Sequence, residues 1–232
     1  ITTMIAASGQ TQTPSDIARK RDEIQYLCQK YDDGVDSAYR ILNEQIAATK
    51  KDPVANAVWH SCLGQFLDEY CQGNRYRLDD RTQLAEEISK DFKEWDVRTL
   101  QNRAREEYLL SLKNPKALQA ADAKEYSNLL YKMDNQLKVK NLYEVLAYRV
   151  MFFLESDLED ELPDRSISGD ALWHNDQFLK MPLTITNSSS VLQMLLSVYQ
   201  DLTRYNIAKN YEMDFIMLTI DRYDFLRSHD LA

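Results

Sequence analysis

Between Asn141 and Leu154 the sequence NLYEVLAYRVMFFL is interrupted by only three polar residues, Asn141, Glu144 and Arg149. A helix that is apolar nearly all round must be covered on several sides, so this stretch predicts a central core helix. It is too short and too interrupted to span a bilayer. Upstream, apolar residues recur at three- and four-residue steps, the helical period. Pro14 and Ser15 open one such pattern, carrying Ile17, Ile24, Leu27, Cys28 and Tyr31, and Asp32-Asp33-Gly34 ends it. A second runs from about Asp36 with Ala38, Ile41, Leu42, Gln45 and Ile46 on one side. Asp52-Pro53 then supplies an N-cap and a first-turn proline. The helix it opens lines up Val54, Val58, Cys62, Phe66 and Tyr70 beside Trp59, Leu63 and Leu67, and Gly73-Asn74 is expected to close it.

A loop and a short helix are expected next, leading into a long helix; Phe92, Trp95, Leu100, Ala104, Tyr108, Leu109 and Leu112 supply the apolar positions. Asn114-Pro115 breaks the pattern, and Leu118, Ala121, Tyr126, Leu129 and Leu130 resume it before the Lys-rich turn that precedes Asn141. Beyond Leu154 lies an acidic linker, residues 155–170. The run MPLTIT at 181–186 is the one strand-like segment, too short to build a sheet alone. Ser188–Ser190 cap a helix with Val191, Leu192, Leu195, Val198, Tyr199 and Leu202, and a last helix from about Glu212 to Ser228 carries Met213, Ile216, Met217, Ile220 and Tyr223.

These patterns predict an all-α fold: an irregular multi-helix bundle, or a solenoid-like array of helical hairpins, around 141–154 and without a substantial sheet. The expected domain is 15–229, with a point of subdivision at the acidic linker. Trp59, Phe66, Trp95, Leu142, Leu146, Phe153 and Tyr199 are the expected core. Leu63-Gly64 sits where a tetratricopeptide repeat has its Leu-Gly, but His60 and Tyr76 miss the flanking positions and no second copy appears. Residues 1–14 read either as a disordered arm or as the tail of a secretory signal, with Ala7 and Gly9 placed as a cleavage site.

Charge narrows the function. A net charge of −9 repels a phosphate backbone, and no sustained basic face offsets it. The 14 tyrosines suit half-buried seams between helices. Cys28, Cys62 and Cys71 form no CxxC pair; small buried thiols are expected, against one bridge with one free thiol. His60, His174 and His229 stand in no metal-ligand spacing, and Ser61 beside His60 points elsewhere on a helix. The scattered glycines make no phosphate cradle. The acidic residues Glu155, Asp157, Glu159, Asp160, Glu161 and Asp164 lack the alternating ligands and central Gly of a calcium loop, so a solvated loop is expected. Glu86-Glu87 and Glu106-Glu107 are expected on the surface, splayed on their helices. No catalytic residue, cofactor or metal site is assigned.

Several segments, in order, resemble the helical N-terminal region of large bacterial alpha-2-macroglobulin-like envelope proteins. They are Asp52-Pro53, His60-Ser61-Cys62-Leu63, Asp68-Glu69-Tyr70, Asn74-Arg75-Tyr76, Arg81-Thr82, Asp91-Phe92 with Trp95, and Ser111-Leu112. The densest is Leu142-Tyr143-Glu144-Val145-Leu146-Ala147-Tyr148-Arg149 with Phe152-Phe153, similar to a Leu-Tyr-Asp-x-Leu-Ala-x-Arg run. Phe178, Leu195, Tyr199-Gln200-Asp201-Leu202, Asp221-Arg222 and Phe225 continue it, so the likeness spans about 52–228. Asn141 replaces a Pro-Thr and Tyr148 a frequent His.

The resemblance implies a non-catalytic scaffold of a longer protease-trapping protein, secreted to the periplasm or associated with the envelope. Its partners would be other domains of the same polypeptide, proteases or envelope proteins. Cys62-Leu63-Gly64-Gln65 has thioester spacing but lies in a helical pattern without the expected Glu, and is read as chance. The alternative from the residues alone is a free-standing helical adaptor for a protein or peptide. An enzyme is the least supported class, because no nucleophile, base or metal set converges.

Overall fold

Capping chemistry sets most of the helix starts in a computed structural model that describes residues 11–79, 89–127, 139–158, 167, 169–186 and 189–231. Thr13 and Asp16 form a reciprocal capping box at the start of α1 (Pro14–Lys30). Asp52 accepts from the Ala55 amide to open α3 (Pro53–Leu78), and α2 (Gly34–Ala48) lies between. Asp96 caps α4 (Val97–Leu110) through the Thr99 amide at 2.7 Å. The short α5 (Pro115–Ala120) starts at its proline. After α6 (Leu142–Leu158) come the single turn α7 (Asn175–Phe178), then α8 (Val191–Ala208), capped by Ser190, and α9 (Glu212–Ser228). The chain is all-α: among the described residues there is no strand, and MPLTIT is irregular.

The chain divides into two compact units, Ile1–Leu146 and Ala147–Ala232. The division falls inside α6 rather than in the acidic linker, where composition had pointed. Glu155 and Asp157 belong to the last turns of α6, while residues 159–166 of that linker lie outside the described residues.

In the first unit α1, α2, α3 and α4 pack in sequence order, and the α3–α4 pair is the tightest. A methyl group at Gly64 would stand 2.9 Å from the Tyr108 ring, so the glycine lets the two backbones approach. Gly34 has the same role between α1 and α2, where a methyl would overlap the Leu27 carbonyl. An aromatic cluster of Tyr39, Phe66, Tyr70, Phe92 and Trp95 fills one end, with Tyr39 stacked on Phe92 at 4.4 Å. Gln12 ties the N-terminal segment down: its amide oxygen accepts from Trp59 Nε1 at 2.7 Å and its amide nitrogen donates to Gln45 at 2.8 Å. The end of the expected arm at 1–14 is therefore built into the fold, while residues 1–10 lie outside the described residues.

One local expectation fails for an identifiable reason, and two polar interruptions acquire a role. Helix α3 does not stop at Gly73-Asn74 but continues to Leu78. A helical glycine costs only about 1 kcal/mol, and Asn74 turns its amide back onto the Tyr70 carbonyl while Leu78 is buried. Asn141 and Glu144, which interrupt the apolar run, are the start of its helix: Asn141 Oδ1 accepts from the Glu144 amide, and Glu144 accepts from Asn141 Nδ2 and the Lys140 amide. Both are buried, as are Leu142, Tyr143, Val145 and Leu146, whereas Phe152 further along α6 is 77% exposed.

In the second unit α8 buries most of its length and pairs with α9 through a turn in which Asn210 adopts φ 55°. Buried Gln200 donates to the carbonyls of Phe178 and Met181, fixing the irregular segment after α7 against α8. Arg222 of α9 lies with its guanidinium 4.0 Å over the Phe178 ring and donates to Asn175 Oδ1.

Candidate interaction face

Helix α9 is apolar on two opposite sides. Leu218, Arg222, Phe225 and Leu226 make the inner side and are buried. Met213, Ile216, Met217 and Ile220 follow the i, i+3, i+4, i+7 spacing of a second stripe. That stripe faces solvent: the four side chains are 68%, 46%, 50% and 45% exposed. The spacing that places these residues on a core-facing helix is the same whether or not anything covers it. Sequence periodicity therefore predicts the stripe but not its partner. Single exposed hydrophobic residues are ordinary; four on one helical face, two of them flexible thioethers, form a surface suited to docking.

Acids border this stripe. Glu212 and Asp214 occupy the first turn of α9, where carboxylates also suit the positive end of the helix. Asp221 flanks Ile220 and Met217. Burial raises its carboxyl above the usual range, and neighbouring Asp224 adds to the shift. Glu155 of α6 is raised too, first by burial; the hydroxyl of Tyr199, donating at 2.9 Å, pulls it back, Asp221 pushes it up, and His229 lowers it. Burial, and after it the same carboxylate, drives the Tyr199 hydroxyl well above its ordinary value. Asp224 is held at 2.9 Å by Arg227, a largely exposed pair of small worth.

The α3–α4 seam holds the other chemically distinctive cluster. Glu107 is fully buried, against the expectation of a surface position, and its Oε2 lies 2.5 Å from His60 Nδ1. Against a carboxylate, which can only accept, His60 Nδ1 takes the donor role. Arg103 Nη2 stands 2.5 Å from Oε1 without the alignment of a hydrogen bond. Helical spacing explains the error: Glu106 faces out to pair with Arg103, and one residue on, Glu107 is turned inward between the helices. A carboxylate-held histidine is half of an acid–base device, and among the described residues no nucleophile is placed against it. Ser61 is fully buried on a different side of α3.

Of the expected core, Trp59, Leu142 and Leu146 are fully buried, Tyr199 and Phe153 nearly so, and Trp95 lies at 9% exposure. Phe66 is only half-buried, because it sits at the rim of the aromatic cluster. His174 and His229 are exposed, and the three histidines meet in no metal-binding group among the described residues. Cys62 and Gln65 lie within α3, where Gln65 donates to Glu69. All three cysteines are free thiols, with Cys71 buried and the others half-buried. No described helix is long and apolar enough to cross a membrane. No family model, curated protein or solved structure matches this chain.

Proposed function

We propose that the protein is a non-catalytic helical scaffold that holds a partner protein on the outward face of α9. One observation carries this reading: Met213, Ile216, Met217 and Ile220 form a continuous apolar stripe left open to solvent on a helix whose opposite side is already packed. The same face would serve a free-standing adaptor or a region of a longer polypeptide. The wider setting, an alpha-2-macroglobulin-like envelope protein engaged in protease trapping, is supported by the ordered motifs over 52–228 alone. The scaffold reading does not depend on it. A reading frame running past Ala232 into repeated β-rich domains supports that setting, and one that stops there overturns it.

The scaffold reading is tested with a photo-crosslinking residue placed at Met217 and, as a control, at Tyr76, which is 91% exposed on α3. One identified adduct at Met217 and none at Tyr76 is the expected result. Equal labelling at both positions overturns it.

A further inference from the structure

We infer that the segment bound by α9 is a basic amphipathic helix, its apolar side on Met213, Ile216, Met217 and Ile220 and its cations along Glu155, Asp221 and Asp224. This rests on the reading of α9 as a docking face. Two features select the partner. The stripe covers two helical turns at i, i+3, i+4, i+7, a row of side chains that the ridge of another helix fits. Its border is acidic at both ends: Glu212 and Asp214 at the start, Asp221 and Asp224 further on, with the one basic side chain exposed on α9, Arg227, already on Asp224.

Glu155 extends the acidic edge from α6. It faces Asp221 electrostatically, and Phe152 lies three residues earlier on the same side of that helix, 77% exposed. Glu155 and Asp221 are half-buried carboxylates whose proton affinity is raised first by burial. Asp221 adds to that at Glu155 and Asp224 at Asp221, while the Tyr199 hydroxyl and His229, the other groups facing Glu155, lower it there. A lysine or arginine from a partner offsets the rise. Asp224 can exchange its exposed intramolecular ion pair for an intermolecular one at little cost. A second copy of this chain is the poorer occupant, because pairing two α9 faces would bring two acidic borders together on molecules of net charge −9. The arrangement also couples binding to pH: the cationic segment binds more weakly as acid neutralises Glu155 and Asp221.

The test uses the full chain with 13C-methyl methionine and three synthetic peptides of about 18 residues, long enough to form a helix on binding. One is a Leu/Lys amphipathic helix, one its Leu/Glu counterpart, and one the Leu/Lys composition scrambled off a single face. The Leu/Lys helix is expected to shift the Met213 and Met217 methyls saturably, with the other two binding about tenfold weaker or less. Ile216→Ser with Met217→Ser should weaken the Leu/Lys helix by a similar factor, read at Met213. Glu155→Gln with Asp221→Asn should narrow the preference for Lys over Glu.

Equal binding of the Leu/Glu helix at these methyls leaves the docking face standing and overturns the basic partner. Silence of both methyls with every peptide overturns both. Undiminished Leu/Lys binding to the double serine variant marks diffuse charge attraction and overturns the inference. A dimer that the double serine variant abolishes assigns the face to a second copy and likewise overturns it.

Discussion

The α3–α4 seam and the outward face of α9 invert the usual distribution of polarity. The seam buries a carboxylate and encloses most of a histidine and part of an arginine between two helices, while α9 turns four large apolar side chains to water. Both are departures from a simple amphipathic helix, but they differ in what compensates them. In the seam, Glu107 is answered inside the fold by His60 and Arg103, and Gly64 brings the helices close enough for that to happen. On α9 the described residues show nothing that answers the stripe. A departure compensated internally belongs to stability; the one left open is the ground for the docking face proposed above. Substitutions in the two regions should therefore register in different measurements.

Removing the internal answer should have the largest effect. Glu107→Ala leaves His60 and Arg103 facing an apolar void, and breaking a buried pair from one side costs about 3–5 kcal/mol. A urea melt should show the midpoint fall sharply, and a change within error would mean that the seam is wet and the pair dispensable. Glu107→Gln, which keeps an acceptor for His60 Nδ1–H, should cost less.

Next in size is Gly64→Ala. The new methyl meets the Tyr108 ring at 2.9 Å, close to the base of a side chain that is itself buried. Overpacking of this kind costs about 1–3 kcal/mol, partly offset by the roughly 1 kcal/mol that alanine gains over glycine in a helix. The net is a modest loss, measurable by thermal denaturation; a more stable variant would show that α3 and α4 can separate freely.

A smaller, pH-dependent effect is expected around the acidic edge. Glu155 and Asp221 bind protons more readily in the folded protein than in the unfolded chain. Their contribution to stability is therefore more favourable in mild acid, and falls as pH rises from the ordinary carboxylate range through the raised folded values. Urea melts from about pH 4 to 7 should show that fall in the native protein and a flatter profile in Glu155→Gln with Asp221→Asn. Parallel profiles would place both carboxylates in ordinary water.

The sequence made much of the helical scaffold readable, because Asp52 and Ser190 are local signals whose capping bonds involve near neighbours. It hid what depends on partners distant in sequence. Glu107 looked like a surface acid because its answer, His60, lies 47 residues away on another helix. Asn141 and Glu144 looked like interruptions because a buried cap uses the residue types of an exposed one. The α9 stripe was visible as periodicity, but periodicity records only that a face is apolar. Whether the cover is this chain or another depends on tertiary packing.

The smallest effect on stability is therefore the sharpest test of the comparison. Ile216→Ser with Met217→Ser removes apolar surface from side chains that are already about half in water, and exposed substitutions away from packed features stay within about 0.5 kcal/mol. If α9 is an open face, the melt of the double variant should overlay that of the native chain while recognition of the Leu/Lys helix is lost. A large loss of stability would instead mean that these residues are covered within the fold in solution. The stripe would then belong with the seam, as a feature that the molecule answers internally.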